Sequence, residues 1–194
     1  MSTGRLEAFS DGVMAIIITI MVLELRVPDG PTFHDLGQSA TGLLTYLLSF
    51  VYVGIYWNNH HHFFHLVQRV RGGVLWANLA LLFCLSLLPF TTAWMDESGF
   101  VTPPVVVYGV NLLMCALAWY VMQFAVFRTE GQASRARRAV GSDVKGKISP
   151  FVYLAGIASA VVLPVLAIGV YTVVAVMWLV PDRRFERAAS GPVD

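Results

Sequence analysis

The sequence predicts an all-α integral membrane protein with six transmembrane helices per subunit and both termini in the cytoplasm. Three observations lead there. First, 57% of the 194 residues are hydrophobic and 13% are charged, with a mean hydropathy of +0.67. An ordinary soluble domain carries about 25% charge, and a fold of this size cannot cover so much apolar surface by itself. Second, the apolar residues fall in long unbroken runs. Such runs suit spanning helices and not the alternating strands of an outer-membrane barrel. Third, the basic residues cluster between the runs and so fix the number of crossings. These features exclude a soluble enzyme and a disordered chain. The formal net charge of +1 leaves no basic footprint for nucleic acid.

The runs are Val13–Leu25, Leu43–Trp57, Val74–Trp94, Val105–Phe127 and Phe151–Val180. With their flanks they predict spans over 5–26, 37–60, 73–95 and 103–127, and the last run divides into 149–163 and 165–180. As one helix that run would be ~45 Å long, against a hydrocarbon core of ~30 Å. Pro164 marks the break. Charge placement agrees. With six spans and the N-terminus inside, Arg5, Arg69, Arg71, Arg128, Arg135, Arg137, Arg138, Lys145, Lys147, Arg183, Arg184 and Arg187 all lie on the inner side. That leaves Arg26 as the exception among the 13 basic residues. Five spans would put Arg183, Arg184 and Arg187 outside, against the positive-inside rule. Residues 1–181 thus form a single six-helix membrane domain, followed by a polar cytoplasmic tail over 182–194. The N-terminus does not read as a cleavable signal peptide, because Asp11 precedes the apolar run and no small-residue site follows it.

The loops are short, and the longest, Arg128 to Lys147, reads as a solvated basic loop near anionic headgroups. In the fifth span Gly156 and Ala160, with Ala155 and Ser159, favour close helix contact. Asn78 and Asn111 read as interhelical hydrogen-bond partners. Cys84 and Cys115, deep in separate runs, read as small buried hydrophobes.

The first span is the unusual one. Asp11 and Glu24 are thirteen residues apart, or ~20 Å of helix, which brings Asp11 inside the membrane boundary. A carboxylate there is costly and calls for a partner. Arg5 is not on its helix face, and the alternative is that Ser10 and Asp11 serve a helix start. Ile16, Thr19, Ile20 and Leu23 follow at i, i+3, i+4 and i+7 and form one stripe. Facing lipid, the stripe is packing surface. Facing its own copies around an axis, it is a constriction of the kind that gates a pore by dewetting. The second span closes on Trp57-Asn58-Asn59-His60-His61-His62-Phe63-Phe64-His65. His61 and His65 share a helix face, but no Asp or Glu neighbours them in sequence. A hydrogen-bonding role is therefore favoured, and no metal site is predicted. No TVGYG-type filter, no arginine-every-third helix and no phosphate loop is present.

Arg5-x-x-x-Phe9-Ser10-Asp11 at the start of the first span resembles the signature of the transmembrane protein 175 family of endosomal and lysosomal potassium channels and their prokaryotic relatives. Trp57-x-x-His60, Asn78-Leu79 and Leu88-Pro89-Phe90 extend the likeness over essentially the whole chain. The resemblance implies a homotetramer in the cell membrane, with the first helix of each subunit lining a central pore. Ile16 would then be the main hydrophobic gate, with Ile20 and Leu23 as further constrictions. Thr19, together with Ile16, would set a weak to moderate preference for K+ over Na+. Arg5, Phe9, Ser10, Asp11, Trp57 and His60 would form a supporting network. The conducted ion would be K+, and no cofactor or catalytic activity is implied. His61, His62 and His65 fall outside the family pattern. The competing reading is a proton-coupled transporter that uses Asp11 and the His60–His65 cluster as a relay; a membrane metalloprotein lacks a third ligand in the sequence.

Overall fold

A computed structural model describes residues 2–141 and 143–179. The tail over 182–194, with Arg183, Arg184 and Arg187, lies outside the described residues, as does the last residue of the sixth predicted span. All regular structure among the described residues is helical: α1 (Thr3–Leu23), α2 (Phe33–Gln38), α3 (Ala40–His65), α4 (Gly72–Ser86), α5 (Leu88–Glu97), α6 (Thr102–Glu130), α7 (Arg135–Val140), α8 (Val144–Val162) and α9 (Pro164–Leu179). Four stretches are long and apolar enough to cross a membrane: Thr3–Leu23, Ala40–His65, Gly72–Glu97 and Thr102–Glu130. The helix Pro164–Leu179 is apolar but shorter.

The predicted spans correspond to helices, with three differences. The third span is not one helix. It is interrupted at Leu87, between α4 and α5. Pro89 supplies no amide to the ladder, and Leu87 bonds back three residues to the Cys84 carbonyl instead of four. The outer loop after the first span contains α2. Its start is a capping box: the Thr32 hydroxyl accepts from the Asp35 amide at 3.3 Å, and the Thr32 amide donates to the Asp35 carboxylate at 3.0 Å. The Thr32 hydroxyl also donates to the same carboxylate at 2.5 Å, and this bond first, then that from the Thr32 amide, holds the Asp35 carboxyl below the ordinary carboxylate range. Finally, the basic stretch from Arg128 to Lys147 carries helical structure among its described residues, with Arg128, Arg135, Arg137, Arg138 and Lys147 exposed on it. It holds a 3₁₀ turn (Gly131–Ala133), α7 and the first turn of α8. Ser134 caps α7 through the Arg137 amide, and Ala136 and Ala139 are buried.

The break at Pro164 is present. Leu163 is extended (φ −148°, ψ 98°), as expected of a residue before proline, and it separates α8 from α9. Arg26, the one basic residue placed on the outer side, pairs with Glu97 at 3.1 Å, an exposed contact that contributes about 0–1 kcal/mol.

α1 packs against α3, α4 and α5; α4 packs on α6, α6 on α8, and α8 on α9. Buried polar side chains bond one another or a neighbouring backbone, as an interior without water favours, with His60 Nδ1, Asn111 Oδ1 and the Tyr120 hydroxyl left without a partner among the described residues. Ser49 bonds Thr92 at 2.7 Å and Tyr108 at 3.0 Å, and the Tyr52 hydroxyl donates to the Tyr171 carbonyl at 2.6 Å. Asn111 donates to Thr91 at 3.3 Å. Cys84 and Cys115 are buried free thiols. Gly156 and Ala160 are buried, and their role is specific. The Tyr171 ring of α9 fills the space beside Gly109 of α6 and Gly156 of α8. A Cβ at Gly156 would lie 2.5 Å from the ring's Cε1 and 3.2 Å from a Val170 methyl. Gly156→Ala is therefore expected to destabilise the bundle by about 1–3 kcal/mol through overpacking. Thermal melting of the purified protein in detergent would measure this, with Ala155→Ser on the exposed side of α8 as the silent control.

Candidate pore helix and its anchoring network

α1 has two distinct faces. Leu6, Ser10, Met14, Ile17 and Met21 recur every three or four residues and are all buried, Ile17 and Met21 at 3% exposure. The stripe singled out in the sequence lies on the other side. Ile16, Ile20 and Leu23 are 58%, 42% and 81% exposed, and Thr19 is exposed with them. No element of the chain covers this face among the described residues. Beside it, an open groove of about 700 Å³ runs between Ile16 and Ile20 of α1 and Pro89, Phe90 and Trp94 of α5. The Thr19 hydroxyl donates to the Ile16 carbonyl at 2.9 Å. Its hydrogen is thus spent within the helix, and the oxygen lone pairs point away from it.

The buried face is fixed by a chain of hydrogen bonds through Asn78 of α4. The Ser10 hydroxyl donates to the Leu6 carbonyl at 2.9 Å. Its oxygen accepts from the Asn78 amide nitrogen at 3.0 Å. The Asn78 carbonyl oxygen faces His60 Nε2 of α3 at 2.8 Å. The direction follows step by step. Because Ser10 gives its hydrogen to Leu6, it must accept from Asn78. Asn78 then presents an acceptor to His60, so His60 Nε2 carries the proton. His60 Nδ1 has no hydrogen-bond partner among the described residues, and Phe64 packs against the ring with centroids 4.5 Å apart. Ser10, His60 and Asn78 are each 3% exposed or less.

Of the residues expected to support the first span, the structure joins Ser10 and His60 through Asn78. It does not bring Arg5, Phe9, Asp11 and Trp57 into that hydrogen-bonded chain. Arg5 and Phe9 are exposed on α1. Arg5 precedes Ile16 by eleven residues, three helical turns, and so lies on the same face as the stripe. Asp11 is half-buried. Trp57 stacks on His61, with ring planes 17° apart. Two further residues lie outside the set expected to support the first span. Asn78 was legible as an interhelical partner, but not as the hub. Glu130 ends α6 and accepts from the amides of Gln68 and Arg69 at 2.6 and 3.2 Å and from the Ser134 hydroxyl at 2.6 Å, which ties the α3–α4 connection to α7. Nothing in its sequence neighbourhood announces that role.

The family model described as the endosomal/lysosomal potassium channel TMEM175 matches residues 5–89, the region from α1 through α4 to the first residues of α5 that holds the stripe and the network. A potassium channel from a Chryseobacterium species is 50% identical over 188 residues, 97% of this chain and 98% of its own length. The chain belongs to the TMEM175 family. The crystal structure of a lysosomal potassium-selective channel TMEM175 homologue from Chamaesiphon minutus superposes with a TM-score of 0.74 at 32% identity, covering 91% of this chain and 96% of that one. The bovine endosomal/lysosomal proton channel TMEM175 is 32% identical over 143 residues, 66% of this chain and 29% of its own length.

In this TMEM175 family member, Asn78→Leu would leave both Ser10 and His60 buried without their partner. The expected cost is about 1–3 kcal/mol, read as a lowered melting temperature. Ser10→Ala, which leaves the His60 bond intact, should cost less.

Proposed function

We propose that the chain is a potassium-permeable cation channel in the cell membrane. It assembles as a homotetramer in which α1 of each subunit lines one central pore. The observation that carries this reading is the uncovered face of α1. An apolar stripe on a helix whose other side is pinned by a buried polar network suits contact with its own copies around an axis. The family membership and the bacterial relatives that are potassium channels support the ion. Six spans rest on the charge placement and on the break at Pro164, which divides the last run into α8 of 19 residues and α9 of 16; at ~24 Å α9 is short for a ~30 Å core. The basic residues support a cytoplasmic placement of both ends.

In this arrangement Ile16, Ile20 and Leu23 form stacked apolar rings. An ion passing them sheds part of its water, and potassium holds its shell less tightly than sodium. Four Thr19 oxygens, with their hydrogens turned back to the Ile16 carbonyls, replace some of what is lost, as oxygen ligands do in other filters. Preference for K+ over Na+ is then weak to moderate, and no gating charge is present to sense voltage.

Flux of K+ and Na+ in reconstituted liposomes tests this. Ile16→Asn wets the main ring and is expected to raise flux and to lower the preference for K+. Thr19→Ala should lower the preference while flux persists. Unchanged flux and preference in Ile16→Asn would sink the pore assignment.

A second reading, proton permeation, is favoured by the description of the bovine relative as a proton channel. Asp11, half-buried on α1, is the group it would involve. Acidification of liposomes carrying a pH-sensitive dye should then slow in Asp11→Asn; equal rates would remove this reading and leave the potassium pore standing.

A further inference from the structure

Four histidines close α3, and the structure sorts them. His60 Nε2 is engaged by Asn78 and is buried. His62 Nδ1 bonds the Asn58 carbonyl at 2.7 Å. His61 and His65, one turn apart, are left. Their rings meet at right angles with centroids 4.4 Å apart, and Trp57 stacks against His61. The sequence offers this pair no third ligand. The packing of α1 on α3 supplies one: Glu7, from the second turn of α1. One ligand atom each of Glu7, His61 and His65 lie within 4.8 Å of one another. Glu7 is half-buried and the two histidines are exposed.

We propose that Glu7, His61 and His65 form a site for a divalent transition-metal ion of the zinc type, bridging the start of α1 and the end of α3 within one subunit. The donor set is two imidazole nitrogens and a carboxylate oxygen, with further positions open to water. That set suits zinc and its borderline neighbours, and is poor for magnesium or calcium, which take oxygen donors. Ligands around tetrahedral zinc stand ~2.0–2.2 Å from the ion, so their atoms end up ~3.5 Å apart. Closing the difference from 4.8 Å would need the Glu7 and His65 side chains to turn toward His61, a change of rotamer. Asp11, one turn beyond Glu7 on the same helix face, adds negative charge nearby. A bound ion would fasten the first turns of α1, the helix that carries the Ile16 stripe, to the last turn of α3. Metal binding is independent of the ion the protein conducts.

Isothermal titration of the tag-free purified protein with zinc chloride tests the site. One zinc per chain is expected, with millimolar magnesium failing to compete. Loss of a ligand in Glu7→Gln or His65→Ala should weaken binding by at least roughly tenfold, the lower end of what even outer-shell losses cost. His65→Cys, which keeps a zinc ligand, should retain binding, so that a general loss of structure is told apart from loss of the site. His34→Ala, in the outer loop, should bind like the unmodified protein. Absent zinc binding, equal affinity in Glu7→Gln and His65→Ala, or an equal loss in His34→Ala, would overturn the proposal.

Discussion

The bond chain through Asn78 is the constraint on which the rest of the bundle depends. Inside a membrane, helices gain nothing by hiding apolar faces from one another, since lipid is equally apolar. A helix as uniformly hydrophobic as α1 therefore has little in its composition to settle how it is rotated. Ser10 settles it. Its hydroxyl must be bonded within the protein, and Asn78 is the partner that α4 offers. Asn78 in turn has a carbonyl to satisfy, and His60 of α3 does so. One amide thus fixes the rotation of α1 against two neighbours. With Ser10 turned inward, Met14, Ile17 and Met21 follow it into the bundle, and Ile16, Thr19, Ile20 and Leu23 are turned out. The open face of α1 is a consequence of where its one small buried polar residue had to go.

The same logic runs through the remaining helices. Ser49, Thr92, Tyr108 and Tyr52 spread over α3, α5 and α6 and answer one another's hydrogen bonds or reach the α9 backbone. Glycine has the complementary role. Gly109 and Gly156 leave room for the Tyr171 ring, so α6, α8 and α9 approach closely. Polar contacts set which face meets which, and missing side chains set how near.

Much of this was legible in the sequence because the membrane makes composition informative. Apolar run length placed the helices, Pro164 placed the α8–α9 break, and Asn78 and Asn111 announced themselves as polar groups where polarity must be answered. The Ile16 stripe was legible by spacing, although its exposure was not, since spacing alone does not say which face a neighbour takes. What escaped was local or depended on chains meeting. The capping box at Thr32 and Asp35 had a sequence signature, but lay in a stretch read as loop. The order between Arg128 and Lys147 comes from Glu130 accepting amides some sixty residues away, which no local pattern carries. The interruption at Leu87 was written in Pro89, but apolar continuity concealed it. Glu7 beside His61 and His65 is of the same kind, since a ligand from another helix is invisible until the helices are packed.

The position of the network along α1 bears on how such a helix can govern permeation. Ser10 and Ile16 are six residues apart, ~9 Å of helix, and α1 runs unbroken through Gly12 between them. Over that distance an α-helix is stiff, so the placement of the isoleucine side chains is inherited from the anchor. A loop-built filter sets its own diameter by backbone carbonyls held within the loop. A ring of side chains on four stiff helices does not; its diameter follows the distance between the helices. In the proposed pore, any group that shifted or fastened the lower turns of α1, the Asn78 bonds or an ion on Glu7 among them, would act on the width at Ile16 without touching it. On the pore reading, control belongs to the end of the helix where polar and charged residues gather, and the apolar stripe only reports what is decided there.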